Sequence, residues 1–373
     1  MNIIIKEVQN KKDLKKFVSF PYRLYKGSKY WIPPLRNDEF NILDKKKNPA
    51  FDFCDVKLWL AYKNEKVVGR IAGIINHRFI EKWRDKYCRF GWIDFIDDEN
   101  VSKFLLETVE NWAKENGMEA VHGPLGFTDL DPEGMLIQGF EELGTIATIY
   151  NYPYYPKHLE KYGYSKDIDW IEFEVRVPEK VPKKIERIAN IVEKKYGLTV
   201  LKTKSSKDLK PYTKEIFKVL NEAFEPLYGV VPLTEKQIDK YINNYIGIIP
   251  HKYISIILDE FGKIAAFGIT MPSLSKAFQK AKGRLFPFGF LHIMKALKHN
   301  NLVDLYLVAV RPDFQGKGIN TLLFKDLIQT YIEHKIERAE TNIELENNTK
   351  VQAQWKFFDR RQHKRRRCYI KHL

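Results

Sequence analysis

Cysteine is scarce in this chain of 373 residues: Cys54, Cys88 and Cys368 are the full set, an odd number with no C-x-x-C pair. A disulfide framework and a zinc ribbon are therefore excluded, no metal is expected, and a reducing cytoplasm is the expected compartment. Long apolar runs are also lacking, the longest falling far short of the ~18 residues that a membrane span needs. Residues 1–10 alternate like a strand and hold no apolar signal core. Glycine (20) and proline (17) are spread thinly, which excludes collagenous and low-complexity chains. Acids are the minority charge, 48 against 63 basic side chains, for a net +15. That excess predicts attraction to a polyanion without naming it, since nucleic acid, anionic headgroups and a phosphorylated small molecule all qualify. What remains is a folded protein, 44% hydrophobic and 14% aromatic, long enough for two cores.

The pattern changes near the midpoint. From Val175 to Leu198 an alternating stretch gives way to a helical one over Lys183–Tyr196, with Pro178 and Pro182 between them. This predicts two domains, 1–177 and 178–373. Each carries the same order of elements. Val56–Tyr62 and Val67–Ile75 flank Asn64-Glu65-Lys66 as a hairpin, and Tyr253–Leu258 and Lys263–Met271 flank a second turn ending at Gly262. A strand follows in each half (Gly91–Ile96, Asp304–Val310), then an amphipathic helix (Val101–Asn116, Ile319–His334). A last strand and helix are Glu119–His122 with Tyr154–Tyr162, and Ala339–Ile343 with Thr349–Arg360. The expected fold class is α/β, two tandem mixed-sheet domains.

The sharpest local signal is Val308-Ala309-Val310-Arg311-Pro312-Asp313-Phe314-Gln315-Gly316-Lys317-Gly318-Ile319-Asn320-Thr321. A strand ends, a glycine turn follows and a helix begins. Glycines let backbone N–H groups converge, and the helix N-terminus adds positive potential, so the turn suits a pyrophosphate. It matches neither G-x-x-x-x-G-K-[ST] nor G-x-G-x-x-G, which removes nucleotide-hydrolase and dinucleotide readings.

With that order of elements, residues 304–321 resemble the acetyl-CoA loop of the GNAT N-acyltransferase superfamily, Q/R-x-x-G-x-G/A. Gln315 and Gly318 match it, and Asn320 replaces the final small residue. The resemblance implies acyl-CoA or acetyl-CoA as co-substrate. Val308 and Val310 would line the pantetheine slot, and Gln315, Gly316, Lys317, Gly318, Ile319, Asn320, Thr321 and Asn348 would surround the cofactor. The first half resembles the same fold as a degenerate copy, since Asp97, Asp98 and Glu99 stand where the glycine loop belongs and would repel pyrophosphate.

Amide formation from a thioester needs a base for the amine and donors for the carbonyl. Asp304 is the candidate base, at a position where the resemblance places an acid; its plainer role is a strand-edge surface acid. The superfamily often supplies a tyrosine acid from the last helix, but Phe358 occupies the aligned place, leaving water, Tyr306 or Tyr369. In the first half, Gly123–Gly134 concentrates carboxylates between glycines beside the aromatic run at 151–156. Pro132 and Phe140 break its partial likeness to a calcium loop, so Glu133, Tyr154 and Tyr155 are taken as acceptor-site candidates. His122 and His158 have no neighbouring ligand set and are expected to be structural.

Two basic stretches remain. Ser273–Asn300 interleaves Phe278, Leu285, Phe286, Phe288, Phe290, Leu291, Ile293, Met294 and Leu297 with Lys276, Lys280, Lys282, Arg284, Lys295 and Lys298, which suits either an anionic membrane surface or a core helix with solvated lysines. Asp359–Lys371 (DRRQHKRRRCYIK) reads as a solvated, fraying tail with a final strand over Arg367–Lys371. The stretches around Asn48–Phe51, Gly123–Phe140, Tyr152–Tyr155 and Leu285–Gly289 resemble a bacterial tandem-GNAT family that includes ceramide synthases, which join a fatty acyl-CoA to a sphingoid-base amine. The resemblance implies an acyl-CoA-dependent N-acyltransferase for a lipid amine, cytoplasmic or peripheral on the inner membrane face. The alternatives are a small-molecule N-acetyltransferase, a scaffold, and a nucleic-acid binder using Arg360–Arg367, which no recognition motif supports.

Overall fold

The hairpins form where the turn residues require them. Asn64 and Glu65 both take positive φ, 49° and 61°, the geometry that matches strand twist in a two-residue turn. Asp259 closes the second by accepting from the amides of Phe261 and Lys263 at 3.0 and 2.9 Å.

The computed structural model describes residues 2–373. Its first half runs β1 (Ile3–Glu7), α1 (Lys11–Leu24), α2 (Arg36–Ile42), β2 (Cys54–Lys63), β3 (Lys66–Asn76), α3 (His77–Trp83), β4 (Tyr87–Phe95), α4 (Glu99–Glu115), β5 (Ala120–Gly123), β6 (Met135–Gln138), α5 (Tyr154–Lys161) and β7 (Ser165–Arg176). The second runs α6 (Lys183–Lys195), β8 (Thr199–Val200), α7 (Thr213–Phe224), α8 (Glu235–Tyr241), β9 (Ile254–Leu258), β10 (Ile264–Pro272), α9 (Ser275–Ala281), α10 (Gly289–Lys298), β11 (Leu302–Val310), α11 (Asn320–Glu333), β12 (Arg338–Glu340), β13 (Glu344–Leu345), α12 (Thr349–Gln354) and β14 (Arg360–His372).

The strands join one mixed sheet in the order β1-β2-β3-β4-β5-β14-β7-β12-β11-β10-β9-β8, with β6 on β14 and β13 on β7. Outward from the central β14–β7 ladder the two sides repeat. Both are antiparallel, except that β4 pairs parallel with β5 and β11 parallel with β12. The duplicated α/β architecture expected from the sequence is therefore present. Helices cover the sheet through apolar stripes. α4 buries Val101, Leu105, Leu106, Val109 and Trp112, and α11 buries Leu322, Leu323, Leu327 and Tyr331.

The C-terminal run departs most from expectation. It is a 13-residue strand at the centre of the sheet, bonded to β7 on one side and to β5 and β6 on the other. Lys364 and Arg366 are each 1% exposed. Their burial is tolerated because β7 supplies acids in register: Arg366 Nε donates to Glu172 at 2.5 Å, Arg367 to Asp169 at 2.8 Å, and Lys364 lies between Glu172 and Glu340. Nor does a helix run from Thr349 to Arg360. It ends at Gln354, and by Arg360 the chain is extended, gaining ladder bonds to Val175 and Glu174 that a helix would forgo.

Candidate active site

β11 and β12 pair over only three positions, Leu302–Asp304 with Arg338–Glu340, and then part. On its other edge β11 carries a bulge. Ile269 pairs with Leu307 and Thr270 with Leu305, so Tyr306 is the extra residue, and its carbonyl accepts from Asn342 Nδ2 at 3.2 Å. The place where the strands separate is thus fixed by Asp304 opposite Glu340.

Asp304 is 3% exposed. Its Oδ2 accepts from the Tyr306 hydroxyl at 3.3 Å, and its Oδ1 is buried with no partner. Burial, with the Glu340 charge second, pushes its carboxyl up to about 8 against the opposing pull of nearby Ser273, the Lys364 charge and Tyr306. The Tyr306 hydroxyl is driven well above its ordinary value by burial and by Asp304. Glu340 is also raised by burial, against the attraction of Lys364. Lys364 Nζ bridges Glu340 and Glu172, and Arg366 holds the far side of Glu172. A charged row thus crosses three strands, β12, β7 and β14, behind Asp304.

An apolar cleft lies under the parted strands, lined by Leu305, Val308, Leu323, Phe324, Trp355 and Phe358. Val308 is 38% exposed. Phe358 packs on Phe324 with ring centroids 5.6 Å apart, so a carbon ring stands where a tyrosine hydroxyl was considered.

At the open end, Gly316 and Gly318 take φ of 75° and 80°, a region other residues adopt only with strain. Arg311 braces the turn, bonding Asp313 at 2.7 Å and Asp259 at 2.9 Å. Among the described residues, the amides of Gly316, Gly318, Ile319 and Asn320 donate to no protein acceptor, and α11 begins without a side-chain cap. An uncapped 14-residue helix with four unpaired amides is an anion cradle. These amides are the groups that could hold a pyrophosphate, with the apolar cleft beside them. The side chains have other work. Gln315 Nε2 donates to Val310 O at 3.1 Å, Thr321 Oγ1 to Gly318 O at 2.7 Å, and the Ile319 side chain is core. Lys317 is exposed, its ammonium 5.2 Å from the Phe314 ring centroid. Asn348 caps α12, accepting from the Val351 amide at 3.3 Å, away from the turn.

The equivalent space in the first half is filled by its own chain. Leu125 N donates to Phe90 O at 2.9 Å, and a Cβ on Gly91 would sit 2.4 Å from the Leu125 carbonyl oxygen. Asp98 caps α4 through the Asn100 amide at 3.0 Å, so its own carboxylate takes the anion position. Tyr155 is fully buried, its hydroxyl accepting from the Phe95 amide at 3.1 Å, donating to Asp94 Oδ1 at 3.4 Å and lying 2.9 Å from the Tyr25 hydroxyl, while Tyr154 donates to Phe95 O at 2.6 Å. Tyr369 is buried on β14 and donates to Glu160 at 2.7 Å, with no contact to Asp304. Glu133 is half-buried, and burial with the neighbouring Asp129 raises its carboxyl well above the ordinary range. Asp129 is pushed up to about 6 by burial, while Asp131 accepts from the amides of Phe127 and Thr128 at 2.9 and 3.1 Å. This loop reaches the second half: Arg89 bonds Gly126 O and Gly229 O, both at 3.1 Å.

His158 is satisfied by Ser102 at 2.8 Å and Asp97 at 3.1 Å. His122, Asp167 and Cys368 converge around the Tyr228 hydroxyl, and Glu172, Glu340 and His363 around the Lys364 ammonium. Sequence reasoning missed Glu340, Lys364, Asn342 and Arg311. The only available signal was the match between acids spaced along Asp167–Glu174 and the cations of the last strand.

Residues 215–359 match the sequence profile of the Acetyltransferase (GNAT) family. The chain is similar to the Escherichia coli protein YghO, 28% identical over 383 residues, covering 99% of this chain and 95% of that protein. It is also similar to the bacterial ceramide synthase of Caulobacter vibrioides, 26% identical over 314 residues, covering 83% and 80%. Among solved structures, a tandem GNAT protein from the clavulanic acid biosynthesis pathway superimposes with a TM-score of 0.55 at 10% identity, covering 100% of this chain and 98% of that one. The parted parallel strands, the uncapped helix behind a glycine turn and the duplicated sheet all agree with these similarities: residues 215–359 carry a GNAT-family domain, and the chain as a whole has the fold of a tandem GNAT protein.

Proposed function

We propose that the protein moves an acyl group from CoA to an amine, with residues 178–373 holding acyl-CoA and residues 1–177 shaping the acceptor side. The observation that carries this reading is the alignment of the unpaired amides, the apolar cleft and the partnerless Asp304 oxygen along one strand, β11. Acyl-CoA, when bound, supplies an activated thioester. The amides of Gly316, Gly318, Ile319 and Asn320 hold its pyrophosphate, and Val308 flanks its arm. Asp304 accepts the amine proton at Oδ1, and a carboxyl titrating near neutrality is matched to that task. Tyr306, kept protonated by its surroundings, returns a proton to the leaving sulfur. Tyr369 serves packing. No metal enters these steps.

The acceptor we infer is a sphingoid base or another lipid amine, and the acyl group a long chain. The similarity to a protein named a ceramide synthase and the exposed aromatic hairpin between β10 and β11 support this. The test is a CoA-release assay with amide detection by mass spectrometry, run with palmitoyl-CoA plus a sphingoid base and with acetyl-CoA plus small amines. Amide from the first pair, lost in Asp304→Asn, is expected. Product only from the second would replace the lipid substrate with a small one, and product from neither would refute the enzymatic reading.

A further inference from the structure

The α9–α10 hairpin leaves the sheet beside Asp304. Met271 pairs with Asp304 across the strands, and Ser273 N donates to Leu302 O at 2.9 Å. Its base is pinned. Gln279 Nε2 donates to Lys29 O and Trp31 O at 2.9 and 3.1 Å, Arg36 N donates to Gly283 O at 3.1 Å, and Asn300 Nδ2 to Ser273 O at 2.7 Å. The far end is apolar and uncovered. Of the ten residues of α10 only Gly289 is buried. Phe286 is 76% exposed, Phe288 68%, and Leu291 and Met294 51% each.

A surface helix of a water-facing protein turns its apolar stripe inward, and a contiguous exposed cluster marks an interaction site. Charge selects the partner. Residues 273–300 hold Lys276, Lys280, Lys282, Arg284, Lys295 and Lys298 and not one Asp or Glu. A second copy seated on this face would bring like charges together. An anionic bilayer offers what both chemistries need, phosphates for the cations and an acyl boundary for the rings. We propose that this hairpin docks the protein on an anionic membrane surface, with Phe286, Phe288, Leu291 and Met294 entering the headgroup boundary and the lysines meeting lipid phosphates. The docked hairpin holds the Asp304 end of β11 against the bilayer. That geometry rests on the proposed reaction only for what is delivered there, and docking itself does not require it.

The experiment is sedimentation of the full chain with vesicles of phosphatidylcholine alone and with about one third phosphatidylglycerol. Binding to the anionic vesicles, weakened at high salt, is expected, with at least about tenfold loss in Phe286→Ser/Phe288→Ser and in Lys295→Glu/Lys298→Glu. Unchanged thermal midpoints show that these exposed substitutions leave the fold intact. Absence of binding, equal binding to both vesicle types, or variants that bind like the parent would overturn the proposal. So would a concentration-dependent dimer abolished by the phenylalanine pair without vesicle binding. Acyl transfer to a water-soluble amine, measured in the same variants, separates the two ideas. Retained transfer without docking refutes this inference alone; docking without any transfer refutes the proposed reaction alone.

Discussion

Replacing Asp304 by asparagine is expected to stabilise the protein at alkaline pH while it removes acyl transfer. The side chain is 3% exposed, keeps one oxygen without a partner and faces Glu340, and its carboxyl stands near 8 instead of the usual 3.8. Between those two values the folded chain holds a proton that the unfolded chain has released. Stability therefore falls as pH rises through this window, the reverse of the behaviour of a salt-bridged acid. At about 1.4 kcal/mol per pH unit the full span is roughly 5–6 kcal/mol, an upper figure because Glu340 shares the same protons. Asparagine has nearly the same shape and cannot ionise, so the variant escapes this loss. Urea unfolding followed by circular dichroism from pH 5 to pH 9 reads it out. The stability difference between variant and parent should grow by a few kcal/mol toward pH 9, since other titrating groups cancel in the comparison. Parallel curves across that range would refute both the burial argument and the assignment of Asp304 as a group titrating near neutrality.

Neighbours of Asp304 should shift its titration in opposite directions. Glu340→Gln removes a charge that raises it and should move the acid limb of the pH–rate profile down; Lys364→Met removes a charge that lowers it and should move the limb up. Shifts of the same sign would leave the charged row without an electrostatic role. Lys364→Met should also cost about 3–5 kcal/mol in denaturant unfolding, because Glu340 and Glu172 lose a buried counterion. In the first half, Gly91→Ala should destabilise by about 1–3 kcal/mol or more, since its methyl would meet the Leu125 carbonyl oxygen at 2.4 Å; an unchanged unfolding midpoint would show that the segment over β4 yields freely.

Local chemistry made half of this molecule legible. Asn64-Glu65 and Asp259–Gly262 announce turns because only some residues tolerate those dihedrals, and the flanking alternation then sets the hairpins. The glycine turn at 316–318 could be read for the same reason, along with the acids that replace it at 97–99. The last strand could not. Thirteen residues crowded with arginine and lysine read as solvated because the acids that neutralise them, Asp169, Glu172 and Glu340, lie far away in the sequence. Pairing of the last strand with β7, near the middle of the chain, is a long-range choice that no local window contains. For the same reason Asp304 could be named from its place on β11, while Glu340 and Lys364, which surround it only in the folded sheet, could not. Tyr369 illustrates the converse: adjacent in sequence to the final strand's cations, it is carried by that strand into the first half, onto Glu160.

The central claim is that the parted strands and the uncapped α11 hold a CoA thioester. Isothermal titration of palmitoyl-CoA and acetyl-CoA into the parent chain and into Gly318→Asp tests it most directly. The variant puts a carboxylate, on a residue at φ 80°, among the unpaired amides. The account predicts binding by the parent, tighter for palmitoyl-CoA, and its loss by at least about a hundredfold in the variant. Equal binding by the two proteins, or no binding by the parent, would contradict it.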